Sequence, residues 1–381
     1  MISPNRIIDE IARSKQGLFR TFFPKFKSNS IKNFKNFKKF KTIILIGMGG
    51  SILGTKAIYS FLRNKVNKKI IFIDNLDQRY LVKIKKENNL KTALFLIISK
   101  SGNTTETIVN SSFFKAYLKK KNSIIISEDK DNVLRNFAKK KNIPFIRHHP
   151  NIGGRYSVFS DVGMLPSYLM GLKIENFKKN IPNLLKNKQI LSEEIKKIFK
   201  INCKKTKVLV LFNYVPELND FMFWCQQLLA ESLGKNGKGF MPVVSTAPRD
   251  HHSLLQLYLD GPKDKTFYVF SLKDGKNFQV NSKIFGKKVK YLNKKKYENI
   301  KISQKNAFLG ILKEKKIPFE EIVIKKFDEG TIGRLFFLFI FQTIVLSKIL
   351  KVNAFDQPAV ESVKVLTKKL LILKKFNKKN L

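Results

Sequence analysis

Short, nearly continuous apolar runs recur along this chain and alternate with segments of helical periodicity. Seven of them have the length of a strand: Thr42–Ile46, Ile70–Ile73, Ala93–Ile98, Ser123–Ile126, Val208–Phe212, Phe267–Phe270 and Glu321–Ile324. A strand that is apolar at nearly every position is covered on both faces, as in a parallel sheet flanked by helices. The sequence therefore predicts an α/β fold in which right-handed helical crossovers join parallel strands.

The spacing of these runs predicts two sheets. The chain has 381 residues, more than one ordinary domain holds, and a polar, lysine-rich stretch at 175–206 separates the fourth run from the fifth. The predicted division is a helical lead-in at 1–40, α/β domains at 41–190 and 191–330, and a C-terminal helical segment at 331–381.

Helical periodicity is clearest at Thr105–Lys120, Glu217–Leu233, Thr331–Leu350 and Gln357–Phe376. The most apolar part, Leu335–Leu350, contains Lys348 and is shorter than the roughly 20 residues that a bilayer requires. We expect a buried or interface helix there, and no association with a membrane.

The chain is strongly basic, with 75 Lys and Arg against 28 Asp and Glu and a net charge of +47. Its lysines are spread in short runs between predicted elements, which indicates a compositional bias at permissive surface positions. The segment Lys25–Lys41 interleaves lysines with Phe26, Phe34, Phe37 and Phe40, which could stack nucleic acid bases. An amphipathic lead-in to the following strand is the favoured interpretation. We therefore predict no specific nucleic acid partner, while the positive field should attract anionic substrates.

Cysteine and histidine usage argues against a metal site and for a reducing compartment. Cys203 and Cys225 form neither a C-x-x-C pair nor a disulfide framework. The pairs His148–His149 and His251–His252 lack a carboxylate or cysteine at ligand spacing. The N-terminal residues contain acids and no apolar core, unlike a secretory signal. A cytoplasmic protein without a metal is predicted.

A glycine-rich loop, Gly47–Gly54, directly follows the first predicted strand and opens a helix. Its glycines would let the backbone approach an anion, and Ser51 adds a hydroxyl. A dinucleotide fingerprint fails because Ile52 occupies the third glycine position, and a Walker loop fails because Thr55 precedes Lys56. Taken alone, this loop fits a ligand site and a plain tight turn equally well.

A hydroxyl-rich loop, Ser99–Thr107, follows the third predicted strand. It carries Lys100 and five hydroxyls, those of Ser99, Ser101, Thr104, Thr105 and Thr107. Hydroxyls and free amides at a helix N-terminus make a phosphate cradle, whereas a simple N-cap needs only one hydroxyl. The sequence therefore favours a phosphate site over an N-cap.

Together with four further segments, these loops make the chain resemble the phosphoglucose isomerase family, in particular its shorter bacterial members. The six segments occur in the family's order: Gly47–Gly54, Ser99–Thr107, Gly153–Ser160, Glu231–Lys235, Asp250–Leu257 and Asp356–Lys364. The resemblance implies two sugar-isomerase-type α/β domains in a homodimer. It also implies interconversion of glucose 6-phosphate and fructose 6-phosphate through ring opening and an enediol(ate), without metal or cofactor.

The resemblance also implies the roles of particular residues. Glu231 would be the base that shuttles the proton, Arg155 would stabilise the enediolate, and His252 and Lys364 would open the ring. His252 would come from the neighbouring subunit. Substrate-binding residues carried over from the family are Gly50, Ser51, Ser99, Lys100, Ser101, Thr104, Gly154 and Gln357.

The chain departs from the family pattern at several positions. Ala359 and Val363 replace glycines, Asn103 replaces a threonine, and His251 precedes the motif histidine. His252 is assigned because the residues after it remain in register. Three alternatives stay open at this point: an enzyme that also accepts mannose 6-phosphate, a non-catalytic sugar-phosphate-binding regulator, and an ion pair between Lys364 and Glu361 in place of catalysis.

Overall fold

The computed structural model describes residues 9, 17–23, 31–200, 205–273 and 278–373, and every structural statement below concerns these residues. Cys203, Phe26 and the last residues of the predicted Gln357–Phe376 helix lie outside them.

Nine strands form two sheets in the described chain. The first sheet has the order β2-β1-β3-β4-β5, with β1 Thr42–Gly47, β2 Lys69–Ile73, β3 Ala93–Ile98, β4 Ser123–Ser127 and β5 Phe145–Arg147. The second has the order β7-β6-β8-β9, with β6 Val208–Asn213, β7 Met241–Thr246, β8 Lys265–Leu272 and β9 Phe319–Ile324. Every pairing is parallel, so the α/β prediction is confirmed.

Helices connect and cover these strands. They are α1 Gly17–Arg20, α2 Leu53–Phe61, α3 Gln78–Glu87, α4 Thr105–Phe113, α5 Val133–Lys141, α6 Asp161–Leu169, α7 Ile181–Lys186, α8 Lys188–Lys200, α9 Asn219–Leu233, α10 Leu255–Asp260, α11 Tyr297–Glu314, α12 Glu329–Leu350 and α13 Pro358–Ile372. Short 3-10 turns include Ile31–Lys39, Gly49–Ser51, Gly154–Phe159, Pro216–Leu218 and Arg249–His251.

Two strands and one helix end differ from the sequence-based expectation. The sequence did not indicate β5, which has three residues, or β7, whose mixed burial pattern and Pro242 hide its apolar character. Both are edge strands, which can be covered by apolar side chains on one face only and can contain a proline. The helix expected to reach Lys120 ends at Phe113, because its C-cap at Phe114 turns back onto Ser111.

Both faces of the first sheet are buried, which explains its uninterrupted apolar strands. Alternate residues of β1 enter different cores: Ile43 and Leu45 join one cluster, and Ile44 and Ile46 join the other. All four side chains are at most 1% exposed. Such burial requires apolar residues at every strand position.

One core joins the two sheets. It combines Leu45 of β1 with Leu209 of β6, and the facing helices α2 and α9 pack against each other within it. Helix α12 closes the core, with the Phe336 ring 4.7 Å from that of Trp224 on α9. This packing fixes the end of α9 beside the first sheet.

Helix α12 is long and apolar enough to cross a membrane by length and composition, yet 83% of its most apolar window is buried inside the protein. Such burial is typical of the core helix of a folded domain. The expectation of a buried helix there agrees with the structure.

The lead-in segment packs its aromatic rings inward. Ile31 and Phe34 are buried, and Phe37 and Phe40 pack against the same core. These rings therefore stabilise the fold through their packing on the core.

Candidate active site

The two candidate loops meet at a crevice of the first sheet. From β1 the chain goes to β2 on one side, and β3 lies on the other side. Ligands of open parallel sheets bind beyond the strand ends at such a reversal point, here between β1 and β3. Gly47 pairs with Ile98 in the strand register, so the glycine-rich loop (47–54) and the hydroxyl-rich loop (99–107) leave the sheet side by side.

The hydroxyls of the hydroxyl-rich loop face one another. Thr104 Oγ1 lies 2.8 Å from Ser99 Oγ and 3.4 Å from Ser101 Oγ. Thr104 is the N-cap residue of α4, but its side chain makes no capping hydrogen bond. The three hydroxyls thus form a cluster in front of uncapped amides at a positive helix end, as a phosphate site requires.

Two other residues of this loop point elsewhere. Lys100 Nζ donates to the Pro150 carbonyl at 2.8 Å and lies 3.8 Å from Glu128, and burial lowers the pKa of Lys100. Asn103 Oδ1 accepts the Val133 amide at 3.0 Å. The asparagine that replaces the family's threonine therefore ties the loop to the start of α5.

The glycine-rich loop packs directly on the Gly153–Ser160 motif. A Cβ on Gly50 would lie 2.1 Å from the Gly154 carbonyl carbon and 2.4 Å from the Arg155 nitrogen. Only glycine permits this approach of two backbones. The contact brings Arg155 next to the loop that contains Ser51, which is buried in the turn Gly49–Ser51.

Arg155 is 2% exposed, and all five of its N–H donors are used. Nε donates to Ser232 Oγ at 2.8 Å, Nη1 to Glu231 Oε2 at 3.1 Å and Gln357 Oε1 at 2.7 Å, and Nη2 to the Ala354 and Asp356 carbonyls at 2.6 and 3.0 Å. The positive charge of the guanidinium thus lies beside the carboxylate of Glu231.

Glu231 lies in the last turn of α9, which ends at Leu233 with Gly234 as the C-cap. Its side chain is 31% exposed, so it is only partly buried. Gln227, one turn earlier, donates from Nε2 to Glu231 Oε1 at 2.9 Å. The same Nε2 would lie 2.6 Å from a Cβ on Gly49, so Gln227 links Glu231 to the glycine-rich loop.

Sequence reasoning missed Gln227, although its i,i+4 relation to Glu231 was readable. Its Oε1 is buried without a hydrogen-bond partner among the described residues. A buried, unpaired acceptor next to a crevice is available to a ligand hydroxyl.

His252 does not join this cluster within one chain. Its side chain is exposed just after the turn Arg249–His251. His251 is instead the packed histidine: its Nε2 lies 2.6 Å from the Tyr214 hydroxyl, its ring stacks on Phe212, and burial lowers its pKa. His252, which is assigned to the motif by register, is the exposed histidine of the pair.

Asp250 holds the turn that carries both histidines. Its carboxylate accepts the Ser245 hydroxyl at 2.8 Å, the Thr246 amide at 2.7 Å, and Arg249 and Ser253 at 3.0 Å each. Burial alone would raise the pKa of Asp250, but these donors lower it to about 2.

Lys364 also lies outside the cluster in the single chain. It pairs with Glu361 at 2.7 Å, with side chains 60% and 61% exposed, which is the ion pair that the sequence left open.

Gln357, directly before α13, does reach Arg155. Lys235, also missed, binds Asp356 at 2.7 Å and the Ser232 carbonyl at 3.3 Å, and so fastens the 353–357 segment to the end of α9.

The described residues contain no group of three or more His, Cys, Asp or Glu arranged to hold a metal ion.

Comparison with known proteins identifies a family and a fold for this chain. The family model for phosphoglucose isomerase matches residues 5–247. The glucose-6-phosphate isomerase of Methanocaldococcus jannaschii is 33% identical over 345 residues, which cover 86% of this chain and 84% of that protein.

Two solved structures share the fold. A glucose-6-phosphate isomerase from Chlamydia trachomatis superposes with a TM-score of 0.73 at 19% identity, covering 93% of this chain and 74% of that one. A tagatose-6-phosphate ketose/aldose isomerase from Escherichia coli superposes with a TM-score of 0.56 at 14% identity, covering 93% and 95%.

Proposed function

Because this chain belongs to the phosphoglucose isomerase family, we propose that it catalyses the reversible isomerisation of glucose 6-phosphate and fructose 6-phosphate. The observation that carries the proposal is the Glu231–Arg155 pair, 3.1 Å apart, beside the crevice that collects the two loops. A base next to a fixed cation is the arrangement that proton abstraction beside a carbonyl needs.

In this proposal the phosphate binds at the hydroxyl-rich loop. Ser99, Ser101 and Thr104 donate hydroxyls, and Ser51 contributes from the glycine-rich loop. This assignment is supported by the cluster of hydroxyls in front of the uncapped α4 amides. Gly50 and Gly154, whose main chains pack directly against each other, contribute backbone groups beside the sugar. Lys100 contributes charge and backbone, since its ammonium bonds to Pro150.

Glu231 performs the proton transfer. Its carboxylate takes the proton from C2 of the open-chain aldose, and the negative charge that develops on O1 of the enediolate faces Arg155. Return of the proton to C1, with transfer of the O2 proton to O1, gives the ketose. All five Arg155 donors are occupied in the free protein, so a substrate oxygen must replace one of their present acceptors. Gln357, the uncharged side chain that accepts from Nη1, is the acceptor that it replaces.

Ring opening uses His252 and Lys364 in a homodimer. Both side chains are exposed in the single chain, where Lys364 pairs with Glu361. No residue of α13 is buried. Its exposed apolar side chains are Val360, Val363, Val365, Leu366, Leu370, Leu371 and Ile372. A second copy that covered this helix would bury apolar surface and bring its own His252 to the site.

The same proposal has two further parts: the chain divides into two domains near residue 190, and the protein is cytoplasmic. Two separate parallel sheets support the division. Cys225, a free and buried thiol, fits a reducing compartment.

A coupled assay tests the function. Fructose 6-phosphate is supplied, and the glucose 6-phosphate formed is oxidised by a dehydrogenase that reports NADPH. We expect turnover that is lost in Glu231→Gln. Sugar phosphate binding without turnover would contradict the enzyme and favour a binding module. The same assay with mannose 6-phosphate as the substrate, its fructose 6-phosphate product being read through added phosphoglucose isomerase, reports the broader specificity.

A further inference from the structure

Arg155 is part of a closed ring of hydrogen bonds that contains two residues without a role in the proposed reaction. Its Nε donates to Ser232 Oγ at 2.8 Å, and its Nη2 donates to the Ala354 carbonyl at 2.6 Å. The Tyr156 hydroxyl connects these two acceptors, at 2.8 Å from Ser232 Oγ and 2.9 Å from the Ala354 carbonyl.

Donors and acceptors around this ring have one consistent assignment. The Ala354 carbonyl can only accept, so the Tyr156 proton points to it. Ser232 Oγ accepts the Arg155 Nε–H, and its own proton is then donated to the Tyr156 oxygen. Each polar atom of the ring is satisfied without water, and burial raises the pKa of Tyr156, which keeps it a donor.

The ring lies in the core. Ser232, Tyr156 and Arg155 are 0%, 1% and 2% exposed. Because Nε and Nη2 are both tied, the planar guanidinium cannot rotate, and Nη1 is held toward Glu231 and Gln357. Tyr156 directly follows Arg155 and Ser232 directly follows Glu231, so the ring also fixes the two backbones against each other.

We propose that Ser232 and Tyr156 are positioning residues that orient Arg155 for the charge that develops during isomerisation, without touching the substrate. The inference rests on the proposed function, because that charge exists only in the reaction. An oriented donor acts on the transition state rather than on ground-state binding, so its loss lowers kcat more than it raises KM.

Kinetics of Tyr156→Phe and Ser232→Ala test the proposal. We expect kcat to fall roughly 10- to 100-fold with KM within about threefold of the wild type, as for a slightly misplaced catalytic group. Ser232→Thr keeps the hydroxyl and should recover kcat to within about threefold. Tyr268→Phe and Ser167→Ala, buried side chains outside the site, are the matched controls and should leave kcat unchanged.

A second readout does not depend on turnover. In ¹⁵N-labelled protein the Arg155 Nε–H resonance, identified by its loss in Arg155→Lys, should exchange slowly with water, and Ser232→Ala should accelerate that exchange. If the wild type isomerises no sugar phosphate, the proposed function fails, while this measurement still reports the ring.

Unchanged kcat in Tyr156→Phe would overturn the inference, and this variant removes a single oxygen atom, so it decides the matter even if Ser232→Ala does not fold. If Tyr156→Phe and Ser232→Ala lose no more kcat than the controls, the ring has only a structural role. The same conclusion follows if a folded Ser232→Thr does not recover kcat.

Discussion

The carboxylate of Glu231 lies 3.1 Å from the guanidinium of Arg155, although the two residues stand 76 positions apart. Arg155 belongs to the turn after the first sheet, and Glu231 ends the helix that follows β6 of the second. Packing of α9 on α2 and the close approach of Gly50 to Gly154 create the pair. The proposed reaction centre therefore depends on both halves of the chain.

Replacing Glu231 by Gln should lower kcat by about 10²- to 10⁴-fold and change KM little, because an amide cannot accept the C2 proton. The amide oxygen can still accept from Arg155 Nη1, so the fold should persist. Steady-state kinetics and circular dichroism measure the two effects. Glu217→Gln, in the turn before the same helix, is the control, and a Glu231→Gln enzyme as fast as the wild type would remove the base assignment.

Loss of a hydroxyl from the cluster should weaken phosphate binding. We expect Ser99→Ala and Thr104→Val each to cost about 1.5–3 kcal/mol, roughly 10- to 100-fold in affinity, because a hydrogen bond to a charged group is lost. The inhibition constant of inorganic phosphate measures this directly. Ser112→Ala, exposed on the same helix, should have no effect. Equal phosphate affinity in all four proteins would contradict the cradle.

Two inactive variants should complement each other if His252 acts across the dimer. In a mixture of refolded His252→Ala and Glu231→Gln, about half of the dimers are hybrids, and each hybrid has one intact site. Activity should therefore return to about a quarter of the wild-type value. The measurement is specific activity before and after mixing and refolding. A mixture that stays inactive although hybrid dimers form would place His252 in its own subunit's site.

Folding stability should fall in mild acid because of His148. Burial lowers the pKa of His148 to about 4, and Lys100 adds to the shift. The unfolded chain takes up this proton near its ordinary pKa of about 6.5, so the free energy of unfolding decreases as the pH falls from about 6.5 to about 4, by up to about 3 kcal/mol. Urea unfolding across this range measures the slope.

His148→Gln should show a smaller pH slope than the wild type, since it removes the group that the folded state keeps neutral. His149→Gln, at a less buried neighbour, is the control. Identical slopes in the wild type and His148→Gln would mean that other groups carry the acid sensitivity.

Local sequence pattern predicted the strands that are buried on both faces. β1, β3 and β4 are apolar at nearly every position, and this signal survives without knowledge of neighbours. The edge strands β5 and β7 escaped it, because an edge needs less apolar cover and tolerates Pro242. The expected helix Thr105–Lys120 was too long, since a C-cap at Phe114 depends on local backbone geometry rather than periodicity.

The candidate site divides in the same way. The hydroxyl-rich loop was readable because its hydroxyls are contiguous and follow a strand. Gln227, Ser232 and Tyr156 were not identified, because their contacts with Gly49 and Arg155 arise only when α9 packs on α2. Gln227 lies one turn before Glu231, Ser232 directly follows Glu231, and Tyr156 directly follows Arg155. These positions in the sequence could have identified all three residues.

The amino-acid order by itself determined the parallel strands, the two loops at their carboxyl ends and the chemical groups those loops carry, because each follows from a local pattern of apolar, glycine and hydroxyl residues. Only the tertiary structure decided that Arg155 meets Glu231 and Gln357, and that His252 and Lys364 remain apart from them in a single chain. Such long-range encounters are set by which apolar surfaces bury each other, and that choice depends on the shapes of whole helices and sheets rather than on any one segment.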